Sequence, residues 1–444
     1  MTSGRAATRV PPNPMNPAFR PELYAIDFGT SNSLLAAANR DGTHPPIPLD
    51  ERALDPSVFR SILFFSDDSA WSFGAGALAD YVQEGLRGRF IRSVKRFLPL
   101  QSFSDTRIGT KKVTIEELVG LFLRDMRRRA NGYFKADVRR VLMGRPARFS
   151  DDDQADALAE SRLRSAAEFA GFEQIEFCPE PLAAAYDLSS TRPGAVTILV
   201  ADFGGGTSDF TVARLDPAQK NAVEVLAMGG IAQAGDAYDG SLMRHGISEH
   251  FGAKVRYQVP FGSNWLEMPK PLMEQLCGPA EICVLARRDV TEFLRGVRSG
   301  SSSEADKAHV DQLLTLIEDG LGFQLFESIE QLKRALSQED AATFRFDYPS
   351  IDIVEPYTRE RFETGSERVS SSILSRLDQV LERAKLTPTD IDLVCSTGGT
   401  AKVPVIRAGL EARFGVEKMQ ALSSFHAVIQ GLAERGRLLL NGAA

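Results

Sequence analysis

The sequence predicts an α/β protein built from two similar lobes with a cleft between them. Two observations carry that prediction. Asp27-Phe28-Gly29-Thr30-Ser31-Asn32 and Asp202-Phe203-Gly204-Gly205-Gly206-Thr207 repeat one pattern, in which an acid closes a short apolar strand and a glycine turn leads into a second strand. After each hairpin, strand-like and helix-like stretches alternate, as packed α/β layers require. At 444 residues the chain is long enough for both lobes to have sizeable cores.

The elements follow in order. Residues 1–22 carry Arg5, Arg9, Pro11, Pro12, Pro14, Pro17 and Pro21, lack the apolar run of a signal peptide, and read as a flexible tail. The first lobe is expected over 23–192. It opens with strands at Leu23 to Ile26 and Leu34 to Ala36, then Ser61 to Phe65 and Trp71 to Phe73. Thr114-Ile115-Glu116-Glu117 has the spacing of a capping box, with Leu118, Leu121, Phe122 and Met126 on one helical stripe. Val138 to Met143 reads as a buried strand ending in a Gly-Arg-Pro turn. Ser150 and the three aspartates after it are expected to start a helix that points Leu163, Ala166, Ala167 and Ala170 inward and stops at Gly171.

The second lobe, 193–444, begins with strands at Val196 to Ala201 and Phe210 to Val212. From about 245 to 320 the pattern changes to amphipathic pieces broken by Pro260, Pro269, Pro271 and Gly296. This reads as a helical insertion, with Ser299-Gly300-Ser301-Ser302-Ser303 as a flexible loop. Over Gln324 to Ser337, Leu325, Ile329, Leu332 and Leu336 share one stripe, while Glu330, Lys333, Arg334 and Ser337 share another. From spacing alone the second stripe reads as a solvated face. Ile391 to Cys395 is a strand running into Ser396-Thr397-Gly398-Gly399-Thr400, with Pro404 in the first turn of a following helix.

The two hairpins point to chemistry. A glycine turn lets backbone N–H groups approach a phosphate closely, and Thr30, Ser31 and Thr207 add hydroxyl donors. Asp27 and Asp202 at the strand ends supply hard oxygens for Mg²⁺. Two such half-sites facing each other would clamp a polyphosphate. Glu180, set between Pro179 and Pro181, reads either as a rigid metal-shell acid or as an acid favouring its helix dipole. The Asp-Phe-Gly triplets are not accompanied by a kinase His-Arg-Asp loop, and no Walker-type Gly-Xaa4-Gly-Lys-Ser/Thr occurs.

Composition limits the alternatives. The net charge of −7 makes no global case for nucleic acid or an anionic membrane, and the Arg127-Arg128-Arg129 run reads as a solvated face. No stretch of about 20 apolar residues is present to span a bilayer. Cys178, Cys277, Cys283 and Cys395 are scattered without zinc spacing, which fits a reduced, cytoplasmic protein.

Seven motifs stand in order: Asp-Phe-Gly-Thr-Ser-Asn, Val-Lys-Arg-Phe-Leu, Gly-Arg-Pro-Ala-Arg-Phe, Glu-Pro-Leu-Ala-Ala-Ala-Tyr, Asp-Phe-Gly-Gly-Gly-Thr-Ser-Asp, Glu-Gln-Leu-Lys-Arg-Ala-Leu-Ser and Thr-Gly-Gly-Thr-Ala-Lys-Val-Pro. Over roughly 23 to 440 the chain thereby resembles the nucleotide-binding domain of DnaK-type heat-shock chaperones, in the actin/hexokinase-like ATPase superfamily, and looks nearest to its YegD-like branch. The resemblance implies a two-lobed actin-like fold of duplicated ribonuclease H-like domains, with ATP or ADP and Mg²⁺ in the cleft. Gly29, Thr30, Ser31 and Asn32 would form one phosphate loop, and Gly204, Gly205, Gly206 and Thr207 the other. Asp27, Glu180 and Asp202 would hold Mg²⁺ through its waters. Lys95 would reach the γ-phosphate and orient the attacking water, Thr207 would contact that phosphate, and Asp209 would accept a proton. Glu330, Lys333, Arg334 and Ser337 would hold the ribose and adenine, against the reading from spacing, with Gly398, Gly399 and Lys402 packed on the adenosine. Pro146 matches a proline that relays nucleotide state.

The chain also departs from that pattern. After Gly398-Gly399 it continues only to Ala444, so no peptide-binding domain is expected. The 245–320 insertion is a candidate surface for a protein partner. Ser424-Phe425-His426 stands where the family usually carries Pro-Asp-Glu, which alters the adenosine side. The expected function is a slow, Mg²⁺-dependent, chaperone-like ATPase. A nucleotide-gated interaction module with little turnover is the alternative; a filament-forming relative or a sugar kinase fits less well.

Overall fold

The computed structural model describes residues 19–66, 70–84, 88–150, 152–189, 194–216, 223–259, 262–421 and 426–442. Most of the expected N-terminal tail lies outside them, as do Asp151, Pro260 and Phe425.

Two sheets of matching topology organise the chain. In the first, Leu23–Phe28 lies between antiparallel Asn32–Ala38 and parallel Arg140–Arg145, with Thr43–His44 and parallel Gln174–Pro179 outermost. In the second, Val196–Phe203 lies between antiparallel Ser208–Leu215 and parallel Leu393–Thr397, with Val223–Ile231 and parallel Met419–Ala421 outermost. The repeat extends to register. Phe28 pairs with Ser33 and Phe203 with Ser208, so each hairpin places four residues in its turn and sets Asp27 equivalent to Asp202. The same register sets Leu34 equivalent to Asp209; only the second hairpin carries an acid there. This is the two-lobed actin-like arrangement expected from the sequence.

Helices cover the sheets because the parallel pairs need crossover connections. Ile115–Phe134 starts with the expected capping box: the Thr114 hydroxyl accepts from the Glu117 N–H, and the Glu117 carboxylate accepts from the Thr114 N–H. Leu118, Phe122 and Met126 are buried on its inner face, and Leu121 is half-buried at the margin. Leu163, Ala166, Ala167 and Ala170 are buried as expected, and Gly171 leaves the helix at φ +89°.

Each sheet has its own core, and a third core joins them. There, helix Glu180–Ser189 packs against helix His426–Leu440 between the sheets, with Ala183, Ala184 and Ala185 facing Ile429, Leu432 and Ala433. A Cβ on Gly431 would overlap the Ala183 carbonyl, so this crossing depends on small residues from both helices. The third core thus packs residues of both lobes against one another.

Three local expectations are corrected. The strand expected from Val138 starts at Arg140 and continues through Gly144 and Arg145, because these pair with Cys178 and Pro179. The next helix starts at Asp153 rather than Ser150: Asp152 is the cap, accepting from the Ala155 N–H at 2.8 Å. The serine run at 299–303 is not a flexible loop. Ser301 is buried, pairs with Tyr257 and donates its hydroxyl to the Val297 carbonyl, while Ser303 caps helix Glu304–Glu318. Serines serve caps and local backbone bonds as readily as loops, and periodicity does not separate these uses. Helices Lys270–Leu276, Arg288–Gly300 and Glu304–Glu318 bury Leu276, Leu294 and Leu313 in the core of the second sheet.

Candidate functional site

The hairpin turns face each other at the base of a cleft of about 540 Å³ between the lobes. A Cβ on Gly205 would come within 2.9 Å of the Ser31 hydroxyl, and one on Gly206 within 3.2 Å of the Thr30 hydroxyl. Glycine leaves room for this approach without moving either hydroxyl. Several of the loops' carbonyls are taken up by their own scaffold. The Gly29 and Ser31 carbonyls accept from the Ser61 hydroxyl and N–H, and the Gly205 carbonyl from the Asp236 N–H. The Gly204 carbonyl accepts from the Thr400 hydroxyl at 3.2 Å. Lone pairs that would repel a phosphate are thereby turned away from the cleft.

Beneath the loops, Lys95 meets several carboxylates. It lies in the short helical turn Val94–Phe97, and its ammonium donates to Glu180 at 2.7 Å, with both side chains buried. Asp209 is buried too; it accepts from the Ala147 N–H at 2.9 Å and from the Thr207 hydroxyl. The electrostatics follow from crowding. Burial, then Glu180, holds the Asp27 carboxyl well above its ordinary range. Burial, then Glu180 and Asp209, pushes Asp202 up to about 8. Asp209 is pushed to about 7 by burial and Glu180, against the Thr207 hydroxyl and Lys95. For Lys95, burial acts to lower the pKa, but Glu180 and Asp27 outweigh it and the net shift is upward.

This donor set fits a divalent cation. One ammonium cannot balance the carboxylates of Asp27, Glu180, Asp202 and Asp209, and a dication would relieve their repulsion. Among the described residues, no group of three His, Cys, Asp or Glu side chains is arranged to hold a metal directly. A cation that keeps its own waters, as Mg²⁺ commonly does, would fit such a donor set.

The outer cleft is formed by helix Gly322–Leu336 and the turn after Leu393–Thr397. Leu325, Ile329, Leu332 and Leu336 are buried, which turns Glu330, Lys333, Arg334 and Ser337 into the cleft wall. Lys333 donates to the Gly235 carbonyl at 3.2 Å and pairs with Asp239 at 2.8 Å, while Arg334 pairs with Glu330 at 2.6 Å. Burial acts to raise the Glu330 pKa, but Lys333, Arg334 and Arg92 together bring it below its ordinary value. Gly398, Gly399 and Lys402 line the facing wall. A Cβ on Gly398, at φ +89°, would overlap the Phe203 carbonyl oxygen.

The cleft thus brings together Asp27, Gly29, Thr30, Ser31, Asn32, Glu180, Asp202, Gly204, Gly205 and the outer residues just named. Lys95, Gly206, Thr207 and Asp209 do not line it; they lie behind its inner end, through Glu180 and the loop contacts above. Pro146 is buried next to Ala147.

A sequence model of the family described as Hsp70 protein matches residues 100–261 and 318–443, well over half of the chain. The chain belongs to the Hsp70 family. Its Hsp70 relatives include the Chaperone protein DnaK of Halobacterium salinarum, 25% identical over 429 residues that cover 94% of this chain and 56% of that protein. The Chaperone protein DnaK of Thermotoga maritima is 25% identical over 419 residues, covering 94% of this chain and 59% of the relative. The chain therefore spans little more than half the length of these Hsp70 relatives. Its fold is that of the Hsp70-type ATPase domain.

The sequence reading missed several residues of the Hsp70 cleft. Asp236 and Asp239 line it from helix Gly235–Arg244. Their signal was a glycine followed by acids three apart, a pattern that also suits an ordinary helix start. Arg92 and Gln338 are lining residues with no local signature, while Thr400 closes the Gly398-Gly399 turn without having been assigned a role.

Proposed function

We propose that this chain binds an adenine nucleoside triphosphate with Mg²⁺ between its lobes and slowly hydrolyses the terminal phosphoryl group. We propose further that the lobes pass nucleotide state to a protein partner in a chaperone-like role. The observation that carries this is the crowding of Asp27, Glu180, Asp202 and Asp209 about Lys95, directly beneath two opposed glycine–hydroxyl loops. Family membership and the naming of the relatives as chaperones support the same reading.

In this reading the backbone and hydroxyls of Thr30, Ser31 and Thr207 hold the phosphate chain. Asp27, Glu180 and Asp202 hold the hydrated Mg²⁺, which supplies neutralisation of phosphate charge. Lys95, fixed by Glu180, places its ammonium against the terminal phosphoryl group. Asp209, oriented by the Ala147 N–H and Thr207, takes the proton of the attacking water. Glu330, Lys333, Arg334 and Ser337 hold the ribose and base against Gly398, Gly399 and Lys402.

The finer assignments belong to the same proposal. The lobes divide near residue 192, and the chain sits in a YegD-like branch. Its compartment is the reducing cytoplasm, where the buried, non-disulfide cysteines Cys178, Cys277 and Cys395 are at home. The 245–320 insertion is the partner surface, with Val259, Trp265 and Leu266 exposed. No helix among the described residues is long and apolar enough to cross a membrane.

Isothermal titration of ATP and ADP, with Mg²⁺ and with EDTA, tests the core of the reading. Saturable, Mg²⁺-enhanced heat at one site per chain is expected. Folded protein that gives no nucleotide heat in either buffer defeats it.

A further inference from the structure

A second cavity, of about 640 Å³, lies between the lobes beside the nucleotide cleft and shares Arg92 with it. Phe90 and Tyr81 come from the first lobe, and Ile282, Leu316 and Phe323 from the second. Their rings form one wall across the lobe boundary: the Phe90 centroid is 4.6 Å from Phe323 and 4.7 Å from Tyr81. The Tyr81 hydroxyl is committed to the Gly320 carbonyl at 3.0 Å. The cavity lies beside these rings, which touch one another, and not between them. The volume falls within the range of small-molecule sites.

The charged groups on this wall are unequal in their partners. Glu318 is paired with Arg295 at 2.6 Å, and Asp319 is hydrogen-bonded to Tyr348. Arg89 makes one long bond, to the Thr106 hydroxyl at 3.4 Å, and its buried Nε has no hydrogen-bond partner. Arg92 lies 5.4 Å from the centre of the Phe323 ring, and its buried Nη1 likewise has no partner. Buried donors without acceptors are uncommon because they carry a desolvation cost with no return. The guanidinium groups of Arg89 and Arg92, carried on strand Arg89–Arg92, line this aromatic-walled space, and neither is ion-paired to a carboxylate among the described residues.

We propose that this cavity is a second ligand site, for a small organic anion with a flat apolar body and a carboxylate or sulfonate head. The body lies against the wall formed by Phe90 and Phe323, and the head meets the guanidinium groups of Arg89 and Arg92, which line the same cavity. The walls come from both lobes, so occupancy favours their closed arrangement. Arg92 also acts on Glu330 in the nucleotide cleft, so binding at one site alters affinity at the other. The coupling rests on the nucleotide reading; the ligand site itself does not.

Naphthalene-2-sulfonate titrated into the full chain without nucleotide tests the site, with neutral 2-naphthalenemethanol as comparator. One saturable site is expected, with the sulfonate bound about tenfold or more tighter than the alcohol. Arg89→Leu, outside the nucleotide cleft, should abolish that preference and leave ADP affinity unchanged. Ile282→Trp, filling the cavity, should abolish binding of both probes while circular dichroism shows the parent fold. Absence of saturable sulfonate binding overturns the proposal, and so does parental binding in folded Ile282→Trp. Saturating sulfonate should shift the ADP Kd by about fivefold or more. An unshifted ADP Kd removes the coupling. Sulfonate binding in a chain that takes up no ADP sinks the nucleotide reading and leaves this site standing.

Discussion

Lys95 brings a single ammonium to Glu180, with Asp27 and Asp209 close enough to raise its pKa, and in the proposed reading it meets the phosphate tail rather than the base. Removing it takes away charge that matters most when negative charge builds on the transferring group. We expect Lys95→Ala to lower kcat for ATP by about 100-fold or more while ADP still binds. Single-turnover hydrolysis and ADP titration check this; unchanged turnover would remove Lys95 from the chemistry. Cys178 and Cys277 give a second prediction at this scale. Burial pushes their thiols to about 12 and about 11, so the reactive thiolate is scarce at neutral pH. Both should resist iodoacetamide at pH 8 in the native chain and react once urea unfolds it, as read by peptide mass mapping.

Among the elements, the Ile115–Phe134 helix and the Glu180–Ser189 crossing make contrasting cases. The first owes its start to a local device. Thr114→Ala removes one side of the capping box and should cost about 1 kcal/mol in urea unfolding, with nucleotide affinity unchanged. The second depends on close approach. Any side chain at Gly431 meets the Ala183 carbonyl, so Gly431→Leu should destabilise by about 1–3 kcal/mol and disturb the cleft floor. Unfolding and nucleotide titration of that variant should therefore change together, which separates it from the cap variant.

For the whole molecule, ligand in the cleft bridges the lobes, so it stabilises the folded chain by mass action. ATP with Mg²⁺ at about 100 times its Kd should add about 2.7 kcal/mol, and EDTA should remove most of that gain. Thermal unfolding at fixed nucleotide concentration reads this directly; equal Tm values with and without EDTA would count against a cation in the site.

Much of this was legible in contiguous residues. The paired hairpins, the Thr114 capping box, the apolar stripe of helix Gly322–Leu336 and the turn at Gly398-Gly399 each depend on neighbours a few positions apart, where turn chemistry and helical period act. The serine run at 299–303 misled, because its hydroxyls serve a local backbone bond and a helix cap, and its backbone pairs with Tyr257, over forty positions away. The meeting of Lys95 with Glu180, the facing of Gly205 by Ser31 and the seating of Gly431 on Ala183 came from tertiary packing alone. Local energetics choose each strand, cap and turn. Which charges share a buried space is chosen by how two sheets and their crossing helices close, and that shared space decides the chemistry.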